Sequence, residues 1–277
     1  MSSRHVRARR APHHVPVDGE DLSSAKGRSD RALGVRLLAG AVAVVVVTVP
    51  LTVLTALVLS KNSALRDWDS SVVDAVHGQV AIRPTLARVL GWISTLTHPN
   101  SVRLVTGVLV VVLWLRGRRR AAAWLAVTVA VGGALDPVLK NAVARARPAF
   151  DHPVALAPGY SFPSGHALNS MLLAACLVIL VQGPTRGRPG LRATARAAAV
   201  ALVLVTGADR VGLGVHYVTD VVAGWLVALT TVAVTTTAFE SWRRDVGLPP
   251  SSPETGLDPG PTDPPGTPAP HPDRSLR

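Results

Sequence analysis

The chain has 277 residues, 48% of them hydrophobic, with 29 Lys and Arg against 17 Asp and Glu and a formal net charge of +12. In a soluble protein that surplus would suggest nucleic acid, but here the apolar residues form uninterrupted blocks with the cations between them, which argues for membrane spans and against nucleic acid as a partner. The single cysteine, Cys176, excludes an intramolecular disulfide and a thiolate metal cluster.

Residues 1–33 are polar, mixed in charge and rich in Ser, His and Arg, too hydrophilic for a signal peptide, and read as a disordered cytoplasmic tail. His13 and His14 within it are a lone pair in a flexible stretch and carry no metal-site signature. A membrane domain over 34–244 follows. Apolar blocks at 37–59, 102–115, 121–139, 167–181, 195–208 and 218–239 predict about six transmembrane helices, so the expected fold is all-α, a polytopic membrane helix bundle.

Between the first two blocks, Trp68, Val72, Val73 and Val76 recur near helical spacing with Asp67, Asp69 and Asp74 among them. This predicts an amphipathic helix at the outer interface, either a roof that admits a lipid or a plain connector. In the third block Asp136 and Pro137 interrupt the apolar run, and Asp136, one turn before Lys140, reads as its ion-pair partner. Residues 245–277 are dense in Pro with Gly, Ser, Thr and Asp and read as a disordered, Pro-rich cytoplasmic tail.

Arginines cluster at 4–10, 116–120, 186–196 and 243–244, which are alternate loops. The positive-inside rule then predicts a multi-pass plasma-membrane protein with both tails cytoplasmic, and attraction to anionic membrane lipids suffices to explain the cations. Three polar clusters remain, all on the extracytoplasmic side by this topology.

The first joins Lys140 to Arg147-Pro148. If the helix continues, the two cations lie about two turns apart on one side until Pro148 ends it. A compact ammonium and a planar guanidinium suit phosphate oxygens, although cations also anchor helix ends at an interface. In the second, Pro163-Ser164-Gly165-His166 opens an apolar run. Ser164 fits an N-cap, the exposed amides favour an anion, and Gly165 lets an oxygen approach the backbone. The third runs from Arg210 through His216 to Asp220. His216 and Asp220 share a face if helical, so the carboxylate can hold one imidazole nitrogen and leave the other for substrate. A structural His–Asp pair is the alternative for that cluster alone. Three clusters on one side, each carrying a cation or His suited to phosphate, favour a common site.

In order and internal spacing, Lys140 to Arg147-Pro148, Pro163 to His166, and Arg210 to His216 to Asp220 resemble the tripartite signature of the type 2 phosphatidic acid phosphatase superfamily, the integral-membrane lipid phosphate phosphatases. The resemblance covers roughly 140–220 and implies a metal-independent hydrolase of a lipid phosphate, with no cofactor. It implies that His216 is the nucleophile forming a phosphohistidine, Asp220 its orienting acid and His166 the general acid. Lys140, Arg147, Ser164, Gly165 and Arg210 would bind the phosphoryl oxygens. Asp209 stands where the family usually has Ser, and an anion there either pairs with Arg210 or repels a diphosphate. Polyprenyl diphosphate, phosphatidic acid, phosphatidylglycerol phosphate and polyprenyl-linked sugar phosphates are all compatible substrates. The rival readings are a lipid phosphotransferase using the same site and a catalytically silent lipid-binding membrane protein. The superfamily's vanadium haloperoxidases are typically soluble and so remote from this chain.

Overall fold

The computed structural model describes residues 19–245 apart from 183 and 186, with side chains over 38–241. The outer parts of both expected tails, 1–18 and 246–277, lie outside the described residues. Eight helices and no strands are found among the described residues: α1 (Gly19–Leu59), α2 (Ser63–Ala81), α3 (Pro84–Leu96), α4 (Pro99–Leu115), α5 (Arg119–Val143), α6 (Gly165–Leu180), α7 (Pro189–Gly212) and α8 (Val218–Asp245). The chain divides into two units between Ala39 and Gly40, and everything below concerns the second.

Each of the six apolar blocks forms a helix, namely α1 and α4 through α8. By length and composition Leu38–Leu59, Arg119–Val143, Pro189–Gly212 and Val218–Ser241 are each sufficient to cross a bilayer, and α3 with α4, bent by 42°, can supply a fifth crossing. Helix α6 has 16 residues and so extends only about 24 Å, short of the ~30 Å hydrocarbon core. It tolerates this because it is enclosed by α4, α5, α7 and α8 rather than by lipid. Leu168, Leu172 and Cys176 on α6 are buried against Trp124 and Leu125 of α5 and Val227 and Ala228 of α8. The outward faces carry the opposite pattern: Val42, Val45, Val46 and Val49 on α1 and Leu104, Val105, Val108 and Val111 on α4 are all exposed. Lipid chains would cover these apolar faces. An apolar cleft of about 860 Å³ between α1, α6, α7 and α8 opens on the same surroundings and contains none of the residues of the three polar clusters.

Two local expectations are corrected. Pro137 does not interrupt the third span, since α5 passes through it, and the Asn141 amide donates to the Pro137 carbonyl at 2.9 Å. The helix ends instead at Val143, where Ala144 adopts a left-handed conformation (φ 48°) and donates to the Lys140 carbonyl. Arg147 therefore lies beyond the helix, not two turns along it. Residues 61–100 form two helices rather than one, and α2 buries Asp69, Val73, His77 and Val80 while Trp68 and Val76 stay exposed. The buried face of α2 thus mixes Val73 and Val80 with Asp69 and His77, because Asp69 has buried partners there in Arg145 and Thr219.

At its site end α6 is held closely to α8. The Ser164 amide donates to the Asp220 carbonyl at 2.9 Å, and a Cβ built on Gly224 would come within 2.6 Å of the Ser164 carbonyl oxygen. Only the absence of a side chain at 224 permits that approach. Gly224→Ala is expected to lower folded stability by about 1–3 kcal/mol. Unchanged thermal unfolding of the purified variant in detergent would contradict this packing.

Candidate active site

The three clusters meet at one end of the bundle. Lys140 comes from the last turn of α5, Arg147 from the segment that follows, and Ser164, Gly165 and His166 from the start of α6. Arg210 closes α7, His216 sits in the turn before α8, and Asp220 lies in the first turn of α8. Ser164 is the N-cap of α6 with its hydroxyl oxygen facing the Ala167 amide at 3.5 Å, and it is fully buried. Gly165 does allow close approach: a Cβ there would meet the Asp136 carboxylate at 2.9 Å and the Lys140 ammonium at 3.2 Å.

His216 precedes the helix instead of sharing its face with Asp220, yet the pairing geometry survives. Its Nδ1 lies 3.6 Å from Asp220 Oδ2, longer than a hydrogen bond, and has no other partner among the described residues. Asp220 Oδ2 accepts from the Tyr217 amide at 2.9 Å, which turns the carboxylate back over the helix start. The opposite nitrogen, Nε2, is 3.0 Å from Arg147 Nη1. Burial is the main cause that holds the His216 imidazole down to about 4, against the opposing pull of Asp220. At neutral pH the ring is therefore uncharged, with Asp220 behind Nδ1 and a guanidinium in front of Nε2. Across the site His166 Nε2 is 3.3 Å from Arg210 Nη1, and the His98 ring meets the His166 ring edge-on at 5.5 Å.

The cations are not free in this site. Lys140 is ion-paired with Asp136, one turn away, as its spacing predicted. Asp209 pairs with Arg210, whose Nε donates to Oδ2 at 2.9 Å, so the first of the two alternatives for that substitution is the one observed. Arg147 spends its donors on the backbone of the site loop: Nε to Gly159 at 3.0 Å, Nη2 to Pro158 and Tyr160 at 3.0 Å each, and Nη1 to Val215 at 2.8 Å. It thereby shapes the loop as well as facing His216. Among the described residues no group of three or more His, Cys, Asp or Glu is placed to hold a metal ion.

Sequence reasoning missed Arg145, Asp69, Thr219 and His98. Arg145 was visible as a second arginine two residues before Arg147, and Asp69 lay in the α2 stretch, which was read as an interfacial helix with no inward face assigned. Arg145 Nη1 donates to Asp220 Oδ1 and to Thr219 Oγ1, both at 2.7 Å, and Nη2 donates to Asp69 Oδ2 at 2.8 Å. The α2 stretch is thus more than a connector, since it delivers a buried acid to the partner of Asp220.

Residues 121–244 match the PAP2 superfamily. A stretch of 100 residues, 34% of the chain, is 39% identical to phosphatidylglycerophosphatase B of Bacillus subtilis and spans 46% of that relative's length. The crystal structure of a transmembrane PAP2-type phosphatidylglycerolphosphate phosphatase from Bacillus subtilis superposes with a TM-score of 0.60 at 25% identity, covering 73% of this chain and 98% of that one. The matched region contains every residue of the three converging clusters and nearly all of the helices that carry them, so it is the site-bearing part of the chain that is similar to the PAP2 superfamily.

Proposed function

We propose that this protein hydrolyses the phosphate ester or diphosphate of a membrane lipid through a phosphohistidine on His216. The observation that carries the proposal is the orientation of His216: buried, with Asp220 at Nδ1 and Nε2 aimed at the Arg147 guanidinium. A phosphoryl group between Arg147, Lys140 and Arg210 would present phosphorus to Nε2. The lone pair attacks and the bond to the leaving oxygen breaks, while His166, which a phosphoryl dianion beside Arg210 would allow to carry a proton, gives that oxygen its proton. Neutral His166 then takes a proton from the water that attacks the phosphohistidine, releasing phosphate and restoring both rings. Most of the acceleration comes from charge held at the equatorial oxygens, supplied by the three cations and the amides at the start of α6.

The relatives' names support a lipid substrate. The placement of the site at one end of an apolar bundle supports it too, because a headgroup there can stay at the interface while its tail remains in lipid. The basic loops at 116–120 and 186–196, together with the arginines at 4–10 and 243–244, support a plasma-membrane orientation with the site extracytoplasmic and the tails cytoplasmic. Phosphatidylglycerol phosphate is the first candidate substrate, given the relatives.

The direct test is phosphate release by the purified protein from phosphatidylglycerol phosphate, phosphatidic acid and a polyprenyl diphosphate, with and without chelator. His216→Ala is expected to abolish release and His166→Ala to lower kcat by about 100- to 10,000-fold. Turnover retained in His216→Ala would remove the nucleophile. Phosphate passed to an added alcohol instead of water would make the protein a phosphotransferase.

The pH profile gives a second test. His216 attacks only when deprotonated, and its folded-state value of about 4 lies below the ordinary 6.5. The acid limb of kcat/KM assigned to His216 is therefore expected below pH 6.5. The same shift means the unfolded chain binds the extra proton between about pH 6.5 and 4, so folded stability falls as pH drops through that window. An acid limb at or above 6.5 would show that His216 is not held neutral by burial.

A further inference from the structure

We infer that Asp69 and Arg145 are positioning residues that fix the place and the effective charge of Asp220, and through it the reactivity of His216. This inference rests on the function proposed above.

Arg145 emerges just past the end of α5 and reaches three elements at once. It bonds Asp220 and Thr219 at the start of α8 through Nη1 and Asp69 on α2 through Nη2, at 2.7, 2.7 and 2.8 Å. Asp69 Oδ1 accepts in turn from the Thr219 amide at 3.1 Å, and the Thr219 hydroxyl donates to Asp69 Oδ2. The Tyr217 ring lies 4.2 Å from the guanidinium carbon and covers it. Both carboxylates are fully buried, and the Arg145 side chain is 13% exposed. Burial works to lower the Arg145 basicity, but Asp220 and Asp69 together outweigh it and raise it, so this arginine stays charged.

The geometry divides the work of Asp220 between its two oxygens. Oδ1 is committed to Arg145, while Oδ2 accepts from the Tyr217 amide and faces His216 Nδ1. The charges divide likewise. Arg145 alone would cancel Asp220 and leave nothing to balance the imidazole. Asp69 supplies the second negative charge, so the trio retains one net negative charge behind His216. That charge is needed as Nε2 bonds phosphorus and the ring becomes cationic. Stability alone does not account for such an arrangement, since a buried ion triad can be replaced by apolar side chains at little loss or even a gain.

The groups facing His216 are Asp220 from α8, Arg147 from the segment after α5, Lys140 from α5, and His166 from α6. Asp69 touches none of the reacting atoms, so its influence must pass through Arg145 and Asp220. Asp69→Asn removes one negative charge from the trio, which disfavours both the protonated and the phosphorylated ring.

The test compares wild-type protein, Asp69→Asn and Thr219→Val in detergent with a water-dispersible lipid phosphate. Asp69→Asn is expected to lower kcat about 10- to 100-fold, the scale for groups that act through a ligating histidine, with KM within about twofold and the acid limb moved to lower pH. Thr219→Val removes hydrogen bonds but no charge, so its acid limb is expected to stay in place. If Asp69→Asn does not fold, Asp69→Ser, whose smaller hydroxyl can still accept from the Thr219 amide, takes its place with the same expected loss of kcat and the same shift of the acid limb. A wild-type kcat in the neutral variant, or a drop with an unmoved acid limb, overturns the inference. Histidine-selective NMR titration of the same proteins needs no turnover: an unshifted His216 resonance in Asp69→Asn overturns the inference even if the wild-type protein releases no phosphate. Absence of wild-type release by itself overturns only the proposed function.

Discussion

The ion pair between Arg145 and Asp220 is the interaction on which the rest of the site depends. It links the chain beyond α5 to the opening of α8, and the backbone bond from Ser164 to Asp220 brings the start of α6 to the same point. Three helix ends separated by long stretches of sequence are thereby fixed to one residue. In lipid the apolar faces of these helices have no strong reason to choose one register over another, because hydrocarbon outside resembles leucine inside. Buried polar contacts supply that choice at this end of the bundle. Small residues make it possible, as at Gly224, where any side chain would force α6 and α8 apart.

The helices were legible because their signal is local. An apolar block long enough to cross a bilayer is visible in the sequence without knowing its neighbours, and six such blocks became six helices. The site was legible for a different reason: His, Lys and Arg are expensive near hydrocarbon, so each one there calls for a partner, and Lys140, His166, Arg210 and His216 were conspicuous. The pairing of Lys140 with Asp136 needed only helical spacing. What escaped was whatever required a third dimension. The inward face of α2 could not be read from hydrophobicity, since the face was decided by Asp69 reaching Arg145 from 76 positions away. Arg147 was misplaced on a continuing helix because nothing in the sequence announces the left-handed Ala144.

The site also shows why Arg147 serves two purposes. Its donors hold the carbonyls of Pro158, Gly159, Tyr160 and Val215, so the loop that follows α5 closes around the guanidinium. A lysine could not do this, having no planar fork with which to reach carbonyls in several directions. The loop in turn delivers Ser164 to the head of α6, and the His216 turn is held from the other side by the Val215 carbonyl. On the proposed mechanism phosphate binding and loop closure would be two uses of one side chain, the second fixing where the guanidinium lies.

The remaining cations are stored with acids. Lys140 lies on Asp136, Arg210 on Asp209 and Arg145 on Asp69 and Asp220, whereas among the described residues Arg147 has no carboxylate at ion-pair distance and faces carbonyls and His216. On the proposed mechanism a phosphoryl dianion meets Arg147 first as an uncompensated charge, then competes with Asp136 and Asp209 for Lys140 and Arg210. Among the described residues the second buried oxygen of Asp209 has no hydrogen-bond partner, so its charge is met by Arg210 alone. On that mechanism the departure at position 209 would act on substrate binding through Arg210, while His216, whose carboxylate partner is held by a separate arginine, would not meet it directly.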